Sequence, residues 1–293
     1  MRWLVAAGIV VATAAWGAHV DPEHATKPLL AACVTEKEPA IVYVHAVVRD
    51  VEPEPVAAAS DADEEPRVIA VAGDLEIYAV AAARPGGLPI VFLTGSCTHP
   101  VASLKAFGHA AAQHGGIIAL QGDLPCKGDG TLRRWSPDTL LTSARIDAAL
   151  LAAGATATGD LTLMGYSQGA ERAEWLARRF PAKYTRFVLM AGPVVPSPSR
   201  FAGARAVATL AGYGDVRENM ADGAKRLRRA AIPATYIELP GTQHGELSPA
   251  TDAFVGQALD WLDANARPLE AAAATSTNAP TSAREARPRR RAH

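Results

Sequence analysis

Short runs of apolar and β-branched residues recur along the chain at 41–48, 75–81, 90–94, 117–120, 161–164, 187–191, 207–212 and 235–239. Most are apolar at consecutive rather than alternate positions, which marks strands covered on both faces. Longer stretches with helical spacing of apolar positions lie between the later runs, at 101–114, 137–153, 168–180, 220–231 and 250–266. This alternation predicts an α/β domain, a mostly parallel eight-stranded sheet with helices on both faces. No helical pattern separates the first two runs, so an antiparallel edge is expected there.

The flanks break the pattern. Residues 52–66 are acidic and rich in Ala and Pro, and residues 268–293 are Ala, Thr, Ser and Pro ending in Arg287-Pro288-Arg289-Arg290-Arg291. Neither can bury enough apolar area to offset its ordering entropy. The first is expected to be a surface loop between edge strands and the second a disordered basic tail. The domain then occupies 40–267, preceded by an N-terminal extension at 18–39.

Composition narrows the class. With 293 residues, 49% hydrophobic and 20% charged, the chain is long enough for one large core. A net charge of -1 supplies no field for polyanions, and the body has no basic patch, so no nucleic-acid partner is expected. Met1-Arg2, an apolar run over 3–16 and the small residues Gly17 and Ala18 have the layout of a secretory signal peptide, residues 1–17. The run falls short of the roughly 20 residues that cross a bilayer. No stable membrane insertion is therefore expected after its removal. A lipoprotein reading at Leu30-Ala31-Ala32-Cys33 is less favoured, because Asp21, Glu23 and Lys27 precede it in place of an apolar segment. The expected location is secreted or periplasmic. There, three cysteines suggest one disulfide and one residue left over. Cys97 and Cys126 each follow a predicted strand and are the preferred pair; in a cytosolic protein they would be small thiols.

In such a sheet, reactive groups collect at the carboxyl ends of the strands. The run Leu161-Thr162-Leu163-Met164 leads into Gly165-Tyr166-Ser167-Gln168-Gly169 and then a helix. Glycines on either side permit a tight strand-to-helix turn that leaves the Ser167 hydroxyl projecting at a helix N-terminus. A serine needs a base, most often histidine. His19 and His24 lie near the processed end, His293 ends the tail, His45 lies in an edge run, and His109 and His114 lie on a predicted helix. His99 and His244 remain. His244, in a loop after the last strand, is preferred. Asp215 follows the run 207–212 directly and is the expected carboxylate partner. Glu218 and Asp222 come one or two helical turns later, and Asp123 precedes the serine and reads as a loop-stabilising Asx turn.

The order Ser167, Asp215, His244, each after its own strand, resembles the α/β-hydrolase superfamily over about 41–266. The chain is most similar to the compact esterase and dienelactone-hydrolase-like branch, with a serine where that lactonase group has cysteine. The resemblance implies an oxyanion hole made by the N–H of Gln168 and one from Thr94-Gly95-Ser96-Cys97. Thr94 departs from the family's usual His-Gly. Ser96 is the expected second donor, with Cys97 as the alternative. The implied activity is hydrolysis of carboxylic esters through an acyl-enzyme. A peptidase or acyltransferase would share the triad, and a catalytically inactive binding protein would share only the shape. No cofactor or metal is expected: no ligand-spaced cluster or phosphate-cradling loop appears, and Lys127-Gly128-Asp129-Gly130 reads as a flexible loop. The connection 192–206 is too short for a large cap. The site is expected to be open to a small-molecule ester, with Tyr166, Cys97, His99 and Trp135 as candidate lining; for Trp135, Tyr166 and His99 plain packing is the equal alternative. The residues leave the oligomeric state open.

Overall fold

Strands that are apolar on both faces need cover on both faces, and the structure supplies it with two separate cores. The structure is a computed structural model that describes residues 65–269, except 85–86, 88, 156–159, 240–242 and 249. The expected signal peptide, the extension 18–39, Cys33, the run 41–48 with His45, residues 52–64 and all but two residues of the tail 268–293 lie outside the described residues.

The described chain runs β1 (Arg67–Ile69), β2 (Ile77–Val80), β3 (Ile90–Leu93), α1 (Pro100–Gln113), β4 (Ile117–Leu120), β5 (Leu124–Pro125), β6 (Arg133–Arg134), α2 (Thr139–Ala152), β7 (Leu161–Tyr166), α3 (Gln168–Arg179), β8 (Tyr184–Met190), β9 (Ala206–Gly212), α4 (Arg217–Arg229), β10 (Ala234–Leu239) and α5 (Thr251–Asn265). Eight strands form one sheet in the order β1-β2-β4-β3-β7-β8-β9-β10. From β4 to β10 all neighbours are parallel, whereas β2 pairs antiparallel with both β4 and β1. All six parallel strands therefore deliver their carboxyl ends to one rim.

Adjacent residues of a strand point to opposite faces. Phe92, Met164 and Val188 pack with Leu104 and Phe107 of α1 and Val255 and Leu259 of α5. Their neighbours Val91, Leu163 and Leu189 pack with Ile146 of α2, Leu176 of α3 and Leu227 of α4. Burying a Phe or Leu side chain completely stabilises by roughly 1.5–3 kcal/mol. Phe92 and Phe107 add an edge-to-face contact, with centroids 5.2 Å apart.

Several boundaries move for local reasons. The expected strand 187–191 begins earlier, at Tyr184, because Arg186 hides the apolar pattern while an ion pair with Asp263 satisfies its charge. The expected helix 137–153 begins at Thr139, since Asp138 accepts from the amides of Leu140 and Leu141 at 2.9 and 3.0 Å as an N-cap. The antiparallel edge is present, and its outermost described strand is Arg67–Ile69, directly after what reads in sequence as a loop. The connection between β8 and β9 carries one short 3-10 turn, Pro198–Arg200, and among the described residues no cap is inserted.

Candidate active site at the carboxyl rim

Ser167 sits between β7 and α3 with φ 51° and ψ -116°, a backbone conformation that L-residues rarely adopt. Strain of this kind is worth on the order of 1–3 kcal/mol and persists only when surroundings enforce it. Here the Ser167 amide donates to Met190 O at 2.8 Å, and Ser167 O accepts from the Ala170 amide at 3.0 Å. The flanking glycines are required by close approach: a Cβ on Gly165 would overlap the Gly169 carbonyl, and one on Gly169 would overlap the Leu93 carbonyl.

The elbow aims the hydroxyl at His244. Ser167 Oγ lies 3.1 Å from His244 Nε2, and His244 Nδ1 lies 2.6 Å from Asp215 Oδ1. With a carboxylate on Nδ1, the neutral ring carries its proton there and leaves Nε2 as the acceptor for the serine O–H. Asp215 Oδ2 accepts from the Gly212 amide at 2.6 Å, which fixes the carboxylate against its own strand end. Asp215 is buried and His244 is half exposed. The Asp215 loop can meet the His244 loop because Gly214 has no side chain; a Cβ there would lie 2.7 Å from Gln243 Cα.

Tyr166 supports the same loop from below. Its phenolic oxygen accepts from the Gly245 amide at 2.6 Å, and its ring stacks on His244 with centroids 5.6 Å apart. Burial raises its pKa; the Gly245 N–H opposes this and the Asp215 carboxylate adds to it. The phenol thus stays neutral through the physiological range.

The neighbouring loop after β3 carries the expected second oxyanion donor. The Cys97 amide donates to Arg133 O at 2.7 Å and is thereby engaged within the protein, which removes the alternative and leaves Ser96 as that loop's candidate. Cys97 and Cys126 form a disulfide, so the side chain of Cys97 belongs to a cross-link and not to a free lining group. Trp135 is 2% exposed, and its indole N–H donates to Thr94 O at 2.8 Å. It is a support of the loop, the packing alternative, and does not wall an open pocket. His99 is the N-cap of α1: Nδ1 accepts from the Val101 amide at 3.4 Å, so the proton resides on Nε2, 3.1 Å from the Tyr78 oxygen. Tyr78 in turn donates to Glu76 at 2.5 Å, and burial first and then Glu76 push its pKa up to about 12. Asp123 accepts from the Ser136 amide at 2.8 Å, a loop-stabilising role as expected, though across the loop rather than as an Asx turn.

Three contributions at this rim are not readable from residue order: Gly214, the Tyr166 hydroxyl and the side-chain amide of Gln168, which pairs with both backbone groups of Trp135. A glycine directly ahead of the expected acid is the one local signal among them. Among the described residues no group of three or more His, Cys, Asp or Glu is arranged to hold a metal ion.

No protein-family model matches the chain, and no curated protein matches it in sequence. Solved structures do resemble it. A membrane phospholipase A described as a bacterial virulence factor aligns with a TM-score of 0.50 at 14% identity, covering 69% of this chain and 87% of that one. A Mycobacterium tuberculosis puromycin-hydrolyzing peptidase aligns with a TM-score of 0.50 at 17% identity, covering 69% of this chain and 39% of that one. A dienelactone hydrolase from Anabaena variabilis is also similar, at 18% identity and a TM-score of 0.47 over 69% of this chain and 100% of its own length. The chain has the α/β-hydrolase fold.

Proposed function

We propose that this chain is a serine hydrolase that cleaves carboxylic esters, with Ser167 as nucleophile, His244 as general base and acid, and Asp215 as the group that orients the imidazole. The observation that carries the reading is the continuous line from hydroxyl to imidazole to buried carboxylate, at 3.1 and 2.6 Å, on a strained elbow. Serine attack transfers its proton to His244 Nε2 while Oγ bonds the carbonyl carbon and the C=O pair moves to oxygen. Collapse of that oxyanion expels the alcohol, which takes the proton from Nε2. A water then repeats the sequence and releases the carboxylic acid. The amides of Gln168 and Ser96 are assigned to the oxyanion, each worth about 3 kcal/mol in the transition state. The short β8–β9 connection favours an open site for small or extended acyl esters over buried lipid chains. We further infer export: the first 17 residues have signal-peptide layout, and a disulfide suits an oxidising compartment. Among the described residues no helix is long and apolar enough to cross a membrane.

The test is a fluorophosphonate probe followed by a panel of short p-nitrophenyl esters and aminoacyl anilides. Labelling lost in Ser167→Ala and kept in Ser96→Ala, with ester turnover, is the expected result. Faster anilide cleavage would make the protein a peptidase. No labelling would leave a hydrolase-shaped binding protein.

A further inference from the structure

The two amides assigned to the oxyanion belong to different loops, Ser96 after β3 and Gln168 after β7. Two donors act on one oxygen only if their spacing is held, and both loops are fastened to the same third element, the β5–β6 hairpin. On the Ser96 side, the adjoining Cys97 is bonded to Cys126 by the disulfide, and the Cys97 amide donates to Arg133 O at 2.7 Å. Cys97 holds a φ of 56°, so the chain turns sharply at this attachment. On the Gln168 side, Oε1 accepts from the Trp135 amide at 2.9 Å and Nε2 donates to Trp135 O at 3.2 Å, which extends the ladder one residue beyond β6. The hairpin itself is closed by the Cys126 amide on Leu132 O at 2.9 Å and tied at its base by Asp123 accepting from the Ser136 amide at 2.8 Å. The Trp135 indole N–H crosses back to Thr94 O at 2.8 Å, directly behind the Ser96 loop.

We propose that the β5–β6 hairpin is a bracket that sets the spacing of the oxyanion hole, with the Cys97–Cys126 disulfide and the Gln168 side chain as its two attachments. Acylation is then fast only while the disulfide is closed. The inference rests on the ester-hydrolase reading above. Cys97, Cys126 and the Gln168 side chain are positioning groups; the backbone amides make the contact. Their effect falls on the transition state, where charge develops on the oxygen, and not on ground-state binding. Opening the disulfide with dithiothreitol transfers two electrons and two protons to the protein, leaving two thiols and the cyclic oxidised reagent. The Ser96 loop then keeps hydrogen bonds but no covalent tie.

The experiment measures kcat and KM for p-nitrophenyl acetate, together with inhibition by a trifluoromethyl ketone, whose serine adduct places an oxyanion in the hole. It compares the oxidised full chain, the reduced chain, the Cys97→Ser/Cys126→Ser double variant, Gln168→Ala and Gln168→Glu, with folding followed by circular dichroism. The reduced chain, the double variant and Gln168→Ala are each expected to lose about 10- to 100-fold in kcat, the size of a displacement of about 1 Å. KM should stay within about twofold, with ketone affinity falling in parallel with kcat. Gln168→Glu keeps the acceptor for the Trp135 amide but sets a second acceptor against Trp135 O, so it should not recover the loss. Dithiothreitol should leave the double variant unchanged. An active wild type whose folded reduced form and Gln168→Ala variant keep full kcat would overturn the bracket alone. Should the cysteine variants fail to fold, the two Gln168 variants decide. A wild type that neither labels with fluorophosphonate nor turns over esters would overturn the ester-hydrolase reading, and the bracket with it.

Discussion

The two rims of the sheet each hold a histidine beside a carboxylate, in opposite arrangements. At the amino-terminal rim, His114 ends α1 and faces Asp263 at 3.2 Å through Nδ1 and Asp260 at 3.4 Å through Nε2. Asp263 is also the ion-pair partner of Arg186. Both ring nitrogens therefore face carboxylates, and neither faces a hydroxyl. At the carboxyl rim, His244 has an anion on one nitrogen and a hydroxyl on the other. The residue types are nearly the same. What differs is the order of donor and acceptor along a line, and that order comes from backbone geometry: a strained elbow presents a hydroxyl on one rim, whereas the end of α1 presents none on the other.

Removing the ends of the line should have the largest effect. Ser167→Ala is expected to lower ester turnover by about 10⁴-fold or more, and Asp215→Asn by about 10⁴-fold in kcat, because the imidazole loses the partner that fixes its tautomer. Steady-state kinetics on a p-nitrophenyl ester check both. A fully active Asp215→Asn would mean that the carboxylate is a structural support like those of the opposite rim.

A fourth carboxylate, on α3, shows what burial does without such an arrangement. Glu174 is 1% exposed and accepts from Arg200 Nη1 at 2.8 Å, while Arg200 stacks on Trp175 at 4.3 Å. Burial pushes its pKa up to about 7, and the Arg200 charge opposes this only in part. The folded state therefore holds the Glu174 proton more tightly than the unfolded chain does. Its contribution is complete below the ordinary value of 4.5 and is lost as pH rises through about 7. Glu174→Gln should abolish that slope, so that the stability of wild type relative to the variant falls by on the order of 3 kcal/mol between pH 4 and 8. Urea denaturation across that range measures it, and parallel curves would show that Arg200 fully compensates the buried charge.

At the amino-terminal rim, Asp263→Asn leaves Arg186 largely buried with a weaker partner. The expected result is ester turnover within about twofold of wild type and a stability loss of about 1–2 kcal/mol, half-exposed Asp263 being well short of a fully buried ion pair. Denaturant midpoints and kcat from the same preparation separate the two. A large kcat loss at unchanged stability would mean that the rims are coupled.

How much of this was legible in the sequence follows from the range of the interactions. Ser167 stands out because the turn is enforced by glycines two residues away on either side, and Asp215 follows its apolar run within a few residues. His244 is distinguished from the other histidines only by its place in a loop after the last strand. The edge strand Arg67–Ile69 was not legible: three residues with two exposed positions become a strand only by pairing with Ile77 to Ala79. The β5–β6 hairpin consists of two pairs of residues, too few for any periodicity. Trp135 stays ambiguous in sequence because a large aromatic residue carries the same signal in a pocket wall as in a core; in the fold its indole N–H finds Thr94 O. Gln168 announced its backbone amide through its position after the serine. Its side-chain pairing with Trp135, 33 residues away, is set only by the folded rim.

The smallest effect concerns how firmly the imidazole is held. Asp215 fixes one edge of the His244 ring, and Tyr166 holds the loop that carries it, through the phenolic oxygen on the Gly245 amide and through ring stacking. Tyr166→Phe keeps the stack and deletes the acceptor. The Gly245 amide is near solvent and can turn to water, so the stability change should be no more than about 1 kcal/mol. The ring then gains freedom to leave the line to Ser167. Loss of orientation of this kind should lower kcat about tenfold with KM nearly unchanged. Fluorophosphonate labelling should slow by the same factor, since phosphonylation uses the same proton transfer. A variant that labels and turns over at wild-type rates would leave Asp215 as the sole determinant of the histidine's orientation, and His244 would then differ from His114 only in having a serine within reach.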